Sequence, residues 1–307
     1  MRVGLDVGGT KTDAVVVDDD ARVLARTRLA TGWGVDAVAA TIARAVDLVA
    51  GEAGIARDGI RSVGIGMPGQ VAPDSNRVVH AVNLGVHELD VSRILEPVLG
   101  LPVRVENDVK AAARGAHALH GQGSGTMAYL NVGTGVAAGI VVDGQLWRGA
   151  GGSAGEVGHI SIDPAGPACR CGQRGCIEAL AGGGAVAARW GRPGALPVRD
   201  VFDAADAGDP RAVALRDDLA RGVAAAIRIL VLTADVDTVV IGGGLSALGD
   251  RLLVPVAAEL DAGAAASAFI RSLRLRERAT LLPAGSPAAA LGAALVGRTS
   301  EEVLAHG

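Results

Sequence analysis

Aromatic residues make up only 2% of the 307 residues, too few to form the row of base-stacking platforms that proteins use on single-stranded nucleic acid. An excess of basic charge is also absent, because the formal net charge is −4, so we expect no bulk attraction to nucleic acid or anionic membranes. The longest apolar runs contain charges or glycines, and we expect neither a membrane span nor a signal peptide. These absences predict a globular chain without nucleic-acid or membrane partners.

Cysteine is scarce as well, and all three cysteines lie within residues 155–178. Together with one upstream histidine they supply three thiols and an imidazole, which is a complete tetrahedral shell for structural Zn²⁺. The expected ligands are His159, Cys169, Cys171 and Cys176. The alternative is three unrelated buried thiols and a polar histidine, but such thiols are not expected to crowd into one glycine-rich loop. Thiols that hold a metal suit a reducing compartment, so we expect the cytoplasm.

The chain is long enough for one large domain or two of ordinary size. Alternating apolar positions predict strands over 2–7, 12–17, 22–29, 61–66, 103–106, 126–132, 136–142, 238–241 and 279–283. Helical spacing predicts helices over 35–51, from 109 to about 120, and over 183–191, 210–233, 250–262 and 287–297. This order of elements indicates mixed sheets with helices packed on them.

Two strand–turn–strand units repeat the same theme. The first turn comprises Gly8, Gly9, Thr10 and Lys11, and the second comprises Gly133, Thr134 and Gly135. Backbone N–H groups in such turns can hold phosphate without obstruction by side chains. A plain hairpin turn is the alternative for either one, but the repetition makes that alternative less attractive. Asp6, at the end of the first strand, could hold Mg²⁺ through water.

Three other strands end in segments of proline, glycine or polar residues. Strand 61–66 runs into Met67-Pro68-Gly69, and strand 103–106 leads to Asn107 and Asp108. Strand 238–241 opens into Gly242, Gly243 and Gly244, where the absence of side chains would let a flat ligand approach the backbone.

Read in order, these motifs resemble the ROK family of sugar kinases and repressors over nearly the whole chain. The matching strings are Asp6-Val7-Gly8-Gly9-Thr10-Lys11, Glu106-Asn107-Asp108, Gly133-Thr134-Gly135, Gly155-Glu156-Val157-Gly158-His159 and Cys169-Arg170-Cys171-Gly172-Gln173-Arg174-Gly175-Cys176-Ile177-Glu178. The resemblance implies an ATP-dependent kinase that phosphorylates a free hexose at its 6-hydroxyl, with Mg²⁺ and a structural zinc. It also implies a homodimer.

The resemblance further implies roles for individual residues. Asp108 matches the family's catalytic base, and Gly69, Asn107, Asp108, Glu156, His159 and Glu178 match sugar contacts. His159 also matches a zinc ligand, with Cys169, Cys171 and Cys176. The phosphate loops match Asp6, Gly8, Gly9, Thr10 and Lys11 and then Gly133, Thr134 and Gly135, and the adenosine side matches Gly242, Gly243 and Gly244.

The implied fold is the actin-like, hexokinase-like (ribonuclease H-like) α/β fold, with two domains that close over a central cleft. The smaller domain would comprise 1–118 and 288–307, with the first phosphate loop and the catalytic aspartate. The larger would comprise 119–287, with the second phosphate loop, the zinc motif and the glycine run.

Two departures from the family pattern affect the interpretation. Lys110 stands where many family kinases have Asn; it could lower the pKa of Asp108 if their side chains meet, but we expect it to face solvent. Residues 83–87 lack the Trp that glucokinase-like members often carry, which leaves glucose itself in doubt. The alternatives are therefore an N-acetylglucosamine or N-acetylmannosamine kinase, and polyphosphate as the donor.

A non-catalytic sugar sensor is the alternative of a different class. Family repressors add an N-terminal helix-turn-helix domain, whereas this chain begins at its first strand and keeps both phosphate turns and Asp108. We therefore favour the enzyme.

Overall fold

The computed structural model describes residues 1–72, 75–120 and 125–297. Its strands are β1 (Arg2–Val7), β2 (Lys11–Val17), β3 (Val23–Ala30), β4 (Ser62–Met67), β5 (Gln70–Val71), β6 (Arg77–Ala81), β7 (Val86–Asp90), β8 (Val103–Asn107), β9 (Thr126–Val132), β10 (Val136–Val142), β11 (Gln145–Trp147), β12 (Thr238–Gly242) and β13 (Ala279–Leu281).

Its helices are α1 (Val35–Glu52), α2 (Val91–Leu99), α3 (Asp108–His120), α4 (Ile177–Ala181), α5 (Gly183–Trp190), α6 (Pro197–Asp206), α7 (Pro210–Ala234), α8 (Asp250–Ala266), α9 (Ala268–Ser272), α10 (Leu275–Arg278) and α11 (Ala288–Val296). None of these helices, nor any other in the described part of the chain, has the length and apolar composition that crossing a membrane requires.

The chain forms two compact units. Unit 1 contains the described residues of 1–124, 139–154 and 287–307, and unit 2 contains those of 125–138 and 155–286. Residues 121–124 and 298–307, which the sequence analysis assigned to the two predicted domains, lie outside the described residues.

The main sheet of unit 1 has the strand order β3-β2-β1-β4-β8. Strands β1, β4 and β8 are mutually parallel, whereas β2 pairs antiparallel with β1. Parallel neighbours end at the same edge of a sheet, where ligands of open α/β sheets bind. The segments that follow these strands begin with Gly8, Pro68 and Asp108. The topology therefore gathers three of the predicted site segments at one edge.

Helix α11 packs so closely against this sheet and against α3 that their backbones are in contact. A Cβ atom on Gly64 would lie 1.8 Å from the carbonyl oxygen of Ala293, and one on Gly292 would lie 1.7 Å from that of Ala111. Only glycine fits at such approaches, because any side chain would overlap the opposing backbone. The small residues of α11 and α3 thus hold the helix that begins at Asp108 close to the sheet.

Unit 1 also contains a small antiparallel sheet, β5-β6-β7, followed by α2. These elements were not predicted from the sequence. The strands have two to five residues, and α2 has an internal Pro97, so their periodic patterns are too short to identify. The small sheet contacts the main sheet's edge region through Gly69, whose carbonyl accepts a hydrogen bond from Asn107.

In unit 2, β12 lies between β9 and β13 and is parallel to both. In register, Gly242 pairs with Asn131, so the second glycine turn and the glycine run leave the sheet at the same edge. The 25-residue α7 begins with Asp209 as its N-cap and Pro210 at its first position, and it buries the predicted apolar stripe. The buried stripe includes Ala212, Leu215, Leu219, Val223, Ile227 and Leu230.

The mixed α/β class is confirmed, and every predicted element exists, with shifted bounds in places. Helix α8 extends to Ala266 rather than ending at 262, and β13 ends at Leu281 rather than at 283. Besides the small sheet and α2, the elements β11, α4, α6, α9 and α10 were not predicted, and all of them have ten residues or fewer.

Candidate functional site

The first glycine turn joins β1 to β2 in unit 1. The N–H of Gly8 donates to the carbonyl of Lys11 at 3.0 Å and closes the turn. A Cβ on Gly9 would lie 2.7 Å from the carbonyl oxygen of Asn83, so this position also requires glycine. The turn is therefore tight, with Thr10 and Lys11 exposed beside it.

Asp6, at the end of β1, lies in an unusual electrostatic environment. Burial, followed by the negative charges of Asp108 and Asp13, raises its pKa from 3.8 to about 7, although Lys11 acts in the opposite direction. Asp13 is its cross-strand partner on β2 and is itself held by Arg28 at 2.8 Å. A carboxylate with acids around it is a place where a divalent cation would be stabilised.

The corner between β8 and α3 carries Asn107 and Asp108. The Oδ1 of Asn107 accepts from the N–H groups of Val109 (3.1 Å) and Lys110 (3.2 Å), which caps the helix. Its Nδ2 donates to the carbonyl of Gly69 at 3.1 Å. All polar atoms of the Asn107 amide are thereby engaged, and the position of Asp108 at the first turn of α3 is fixed by its neighbour.

Lys110 does not face solvent, and the expectation that it does was wrong. Its side chain is only 6% exposed, and its Nζ donates to the carbonyl oxygen of Gly152. The reason is that residues 109–113 of α3 are all buried, so the start of this helix offers no solvent-facing side. This burial depends on the elements packed around the helix and leaves no local sequence signal.

A second charged contact lies beside the same corner. Glu106, 4% exposed, accepts from Arg148 Nε at 2.8 Å and from its Nη2 at 2.7 Å. The other carboxylate oxygen of Glu106 accepts from the N–H of Asn107 at 3.0 Å. No sequence motif marks Arg148 for this role.

Residues 83–87 lack a tryptophan, but one reaches them from another segment. A Cβ on Gly85 would lie 2.6 Å from ring atoms of Trp33, whose side chain is otherwise 69% exposed. The N–H of Gly34 donates to the carbonyl of Leu84 at 2.8 Å, which holds the two segments together. Only tertiary packing brings an indole to this position.

The second glycine turn, in unit 2, rests on the start of α5. The N–H groups of Gly183 and Gly184 donate to the carbonyls of Gly133 (2.8 Å) and Thr134 (2.9 Å). At the other end of the turn, Glu178 Oε2 accepts from the N–H of Val136 at 3.0 Å. One predicted sugar contact therefore bonds directly to the end of a predicted phosphate loop.

A cavity of about 720 Å³ opens beside this turn, within unit 2, and its size suits a nucleotide. It is lined by Gly133, Thr134, Gly183, Gly184, Ala195, Leu196, Pro197, Val198, Arg199, Gly244, Leu245, Ala247, Leu248 and Arg251. The walls at 195–199 and 245–251 were not predicted. The first wall begins in a bend before α6 and the second lies in a short 3-10 helix that leads to α8, and no local motif marks either as ligand-binding.

The glycine run after β12 contains two positions where packing leaves no room for a side chain and one that is open. A Cβ on Gly242 would overlap the Tyr129 ring at 2.4 Å, and Gly243 adopts φ +84 with the carbonyl of Val132 close by. A Cβ on Gly244 would meet nothing within 4 Å, and this residue lines the cavity. The run thus brings the chain to the cavity wall, with Gly244 as its accessible member.

The cysteine loop in unit 2 gathers a set of metal-binding groups. One ligand atom from each of His159, Cys169 and Cys171 lies within 4.8 Å of the others. The sulfur of Cys176 is 3.6 Å from that of Cys171. Two sulfurs on one tetrahedral Zn²⁺ are separated by about 3.8 Å, given Zn–S bonds of about 2.3 Å. The donor set and this spacing fit a zinc ion.

The environments of the thiols differ. Hydrogen bonds from the backbone and side chain of Gln173 lower the pKa of Cys171 to about 6, whereas burial raises the pKa of Cys176. A thiolate is the form that binds metal, so the lowered pKa of Cys171 favours metal binding. Glu156 and His159 are exposed and joined by the N–H of His159, which donates to the carbonyl of Glu156 at 3.2 Å.

Comparison with known proteins covers nearly the whole chain. The model of the ROK family matches residues 2–298. A glucokinase of Halalkalibacterium halodurans is 33% identical over 284 residues, 85% of each chain. An N-acetylmannosamine kinase of Citrobacter koseri is 37% identical over 245 residues, 79% of this chain and 83% of that protein. The structure of a ROK family glucokinase from Streptomyces griseus, in complex with glucose and AMPPNP, has a TM-score of 0.77 and 31% identity, and covers 97% of this chain and 99% of that one.

Proposed function

The chain belongs to the ROK family, as its motifs predicted, and we propose that it is an ATP-dependent sugar kinase that phosphorylates a free hexose at the 6-hydroxyl. The hexokinase-like α/β fold expected from the resemblance is confirmed with it. The observation that carries the proposal is the capped corner at Asn107–Asp108, where Asn107 fixes the first turn of the helix that begins at Asp108. After burial, the negative charge of Asp108 is the next cause that raises the pKa of Asp6.

We assign Asp108 the role of general base. A sugar hydroxyl is a weak nucleophile until a base removes its proton during attack, and a carboxylate within hydrogen-bond reach contributes roughly 10²–10⁴ in rate. As the 6-oxygen forms its bond to the γ-phosphorus, the bond from phosphorus to the leaving ADP oxygen breaks and the proton passes to Asp108. Asn107 holds the base in place through the helix cap and its bond to Gly69.

We assign the nucleotide to the cavity of unit 2 and the phosphates to the two glycine turns. Gly133, Thr134 and Gly244 line that cavity, and a nucleotide analogue is bound in the related glucokinase structure. Gly8, Gly9, Thr10 and Lys11 form the first phosphate turn, and Gly135, Gly242 and Gly243 support the second turn and the adenosine side. Backbone donors in these turns would neutralise phosphate oxygens without reorganising during the reaction.

Two metals fit the residues present. We propose that Asp6 holds Mg²⁺ near the phosphates, because a half-buried acid beside other acids favours a divalent cation; the ion, when bound, would supply charge neutralisation for the γ-phosphoryl group. We propose a structural Zn²⁺ at His159, Cys169, Cys171 and Cys176. A full four-ligand shell has no open position, so its role is to stiffen the loop.

We assign the sugar hydroxyls to Gly69, Asn107, Glu156, His159 and Glu178. The support is their polar groups and their match to the family motifs. Glu178 also accepts the Val136 N–H, so a sugar contact would be coupled to the second phosphate turn.

An N-acetylmannosamine kinase is the second candidate. One reason is a relative of that name with 37% identity. The other is that residues 83–87 have no tryptophan of their own, and the indole that packs on Gly85 belongs to Trp33. Polyphosphate stays an alternative donor. We further propose a cytoplasmic homodimer, on the basis of the metal-binding thiols and the family resemblance.

The decisive experiment is a coupled assay of ADP release. Free hexoses and acetamido hexoses are tested as a panel with ATP, and phosphorylated sugar is measured with polyphosphate as donor. We expect ATP-dependent turnover on at least one sugar and its loss in Asp108→Asn. Sugar binding without turnover by the wild type would instead indicate a sensor.

A further inference from the structure

Lys110 is a buried cation whose ammonium group bonds to a backbone carbonyl, that of Gly152. Only two lysines, at 11 and 110, occur among the 29 basic residues of the chain; all others are arginine. An ammonium group is compact, whereas a guanidinium brings five N–H donors in a rigid plane, each of which requires a partner when buried. The site at Gly152 therefore suits lysine specifically.

We call residues 148–152 the strap. Its first residue, Arg148, bonds to the buried carboxylate of Glu106 through two nitrogen atoms, at 2.8 and 2.7 Å. Its last residue, Gly152, accepts from Lys110. The two contacts lie on either side of Asn107 and Asp108 in the sequence of unit 1, so both ends of the strap attach to the corner that bears the proposed base.

The strap requires such attachments. Gly149 and Gly152 adopt φ +71 and +79, and a segment this rich in glycine loses much conformational freedom when it is ordered. Both contacts are charge-assisted, and each involves a buried charged side chain, Glu106 or Lys110, so releasing either contact would leave that charge unpaired. The N–H of Ala154 donates to the carbonyl of Arg148 at 3.2 Å and closes the loop.

We propose that Lys110 and Arg148 are positioning residues: by holding the strap on both sides of the corner in unit 1, they fix Asn107 and Asp108 in the positions from which these two residues meet the sugar. This inference rests on the proposed function. Neither residue needs to touch the substrate.

The main test compares Lys110→Met with two other variants. Lys110→Met keeps the length of the side chain and removes the donor, and Lys110→Arg restores a donor at the cost of fit. Arg104→Met, which removes an exposed cation from β8, is the matched control. We expect Lys110→Met to raise the KM for sugar about tenfold, because small misplacements of binding groups have effects of this size, with the KM for ATP within about twofold. Lys110→Arg should recover part of the loss, and Arg104→Met should behave as wild type.

Hydrogen exchange of the peptide covering 149–154 provides a readout that does not depend on catalysis. It should become faster in Lys110→Met and stay unchanged in Arg104→Met. Unchanged exchange would show that the Lys110 contact does not hold the strap in place. Faster exchange with an unaltered KM for sugar would contradict the positioning role. If the wild type phosphorylates no sugar, the proposed function fails. The exchange result still decides whether Lys110 holds the strap in place.

Two further measurements apply if Lys110→Met does not fold. Arg148→Gln alters the half-exposed partner at the other end of the strap and should give the same pattern of a raised sugar KM and faster exchange. In the wild type, an amine-modifying reagent should label Lys110 far more slowly than the exposed Lys11. Equal labelling, or a normal sugar KM in Arg148→Gln, would contradict the proposal.

Discussion

The carboxylate of Glu178 accepts a hydrogen bond from the backbone N–H of Val136 at 3.0 Å, at the point where the second glycine turn enters β10. A Cβ on Gly135 would lie 2.4 Å from the same carboxylate oxygen, so glycine is what permits this approach. An acid proposed to bind sugar is thus part of the turn proposed to bind phosphate.

This contact predicts different effects for two substitutions of Glu178. Glu178→Gln keeps an oxygen that can accept from Val136, so nucleotide affinity should stay within about twofold while sugar affinity falls. Glu178→Ala leaves the Val136 N–H without that acceptor and should weaken both ligands, the nucleotide by about fivefold or more. Calorimetric titrations of a non-hydrolysable nucleotide and of the sugar measure both effects. Equal nucleotide affinities in the two variants would contradict the coupling.

Asp108→Asn removes the proposed base and preserves the shape of the side chain. Turnover should fall by at least about 10²-fold, since general base catalysis contributes roughly 10²–10⁴. Sugar binding should persist, because the Asn107 cap stays in place and the new amide keeps an oxygen that can accept from the Val109 N–H, as Asp108 Oδ1 does at 2.9 Å. Steady-state kinetics with a parallel thermal-shift titration of sugar provide the measurement, and near-normal turnover would refute the assignment.

The raised pKa of Asp6 predicts a pH-dependent stability. Between pH values of about 4 and 7 the folded state binds a proton at Asp6 that the unfolded state has released, so this group lowers stability as pH rises. Asp6→Asn should therefore raise the Tm of the metal-free protein most at pH 8 and little near pH 4, with a loss of activity. Asp19, whose pKa is lowered by its hydrogen bond to Arg61, provides the control. Its ionised form stabilises the folded state, so Asp19→Asn should lower the Tm at pH 8 rather than raise it. A Tm difference for Asp6→Asn that does not change with pH would contradict the prediction.

The metal proposal predicts one zinc per chain. Cys171→Ser should lose the metal and lower the Tm, because it removes the thiol that is most readily ionised. Arg170→Ser, an exposed neighbour in the same loop, should keep both. Elemental analysis and thermal unfolding with and without a chelator test this, and a metal-free wild type with full stability would end the idea.

Substitutions of two glycines in the same loop distinguish the cost of a strained backbone conformation from the cost of steric overlap. Gly172 and Gly175 both have positive φ, +94 and +64, but a Cβ on Gly172 would meet nothing within 4 Å, whereas one on Gly175 would lie 1.6 Å from the carbonyl oxygen of Asp163. Gly172→Ala should lower the free energy of unfolding by about 1–2 kcal/mol, the cost of left-handed backbone. Gly175→Ala should cost clearly more and release the zinc. Denaturant unfolding measures the pair, and equal losses would contradict the geometry.

The sequence by itself determined the elements whose patterns are local. Apolar patterns identified all five strands of the main sheet of unit 1 and all strands of the unit 2 sheet except β11, and the apolar stripe identified α7 to within one residue, because side-chain period follows directly from backbone geometry. The spacing of cysteines and glycines identified the metal loop for the same reason: its ligands lie within a short stretch of chain.

Only the tertiary structure decided which polar groups are buried and what they meet. Lys110 was expected in solvent, and the raised pKa of Asp6, the indole over Gly85 and the cavity walls at 195–199 and 245–251 were not predicted. Desolvation and contact depend on elements far apart in the chain, such as α3 against the strap or β1 against β2. A local pattern carries no information about such neighbours, so burial and its electrostatic consequences follow from the fold alone.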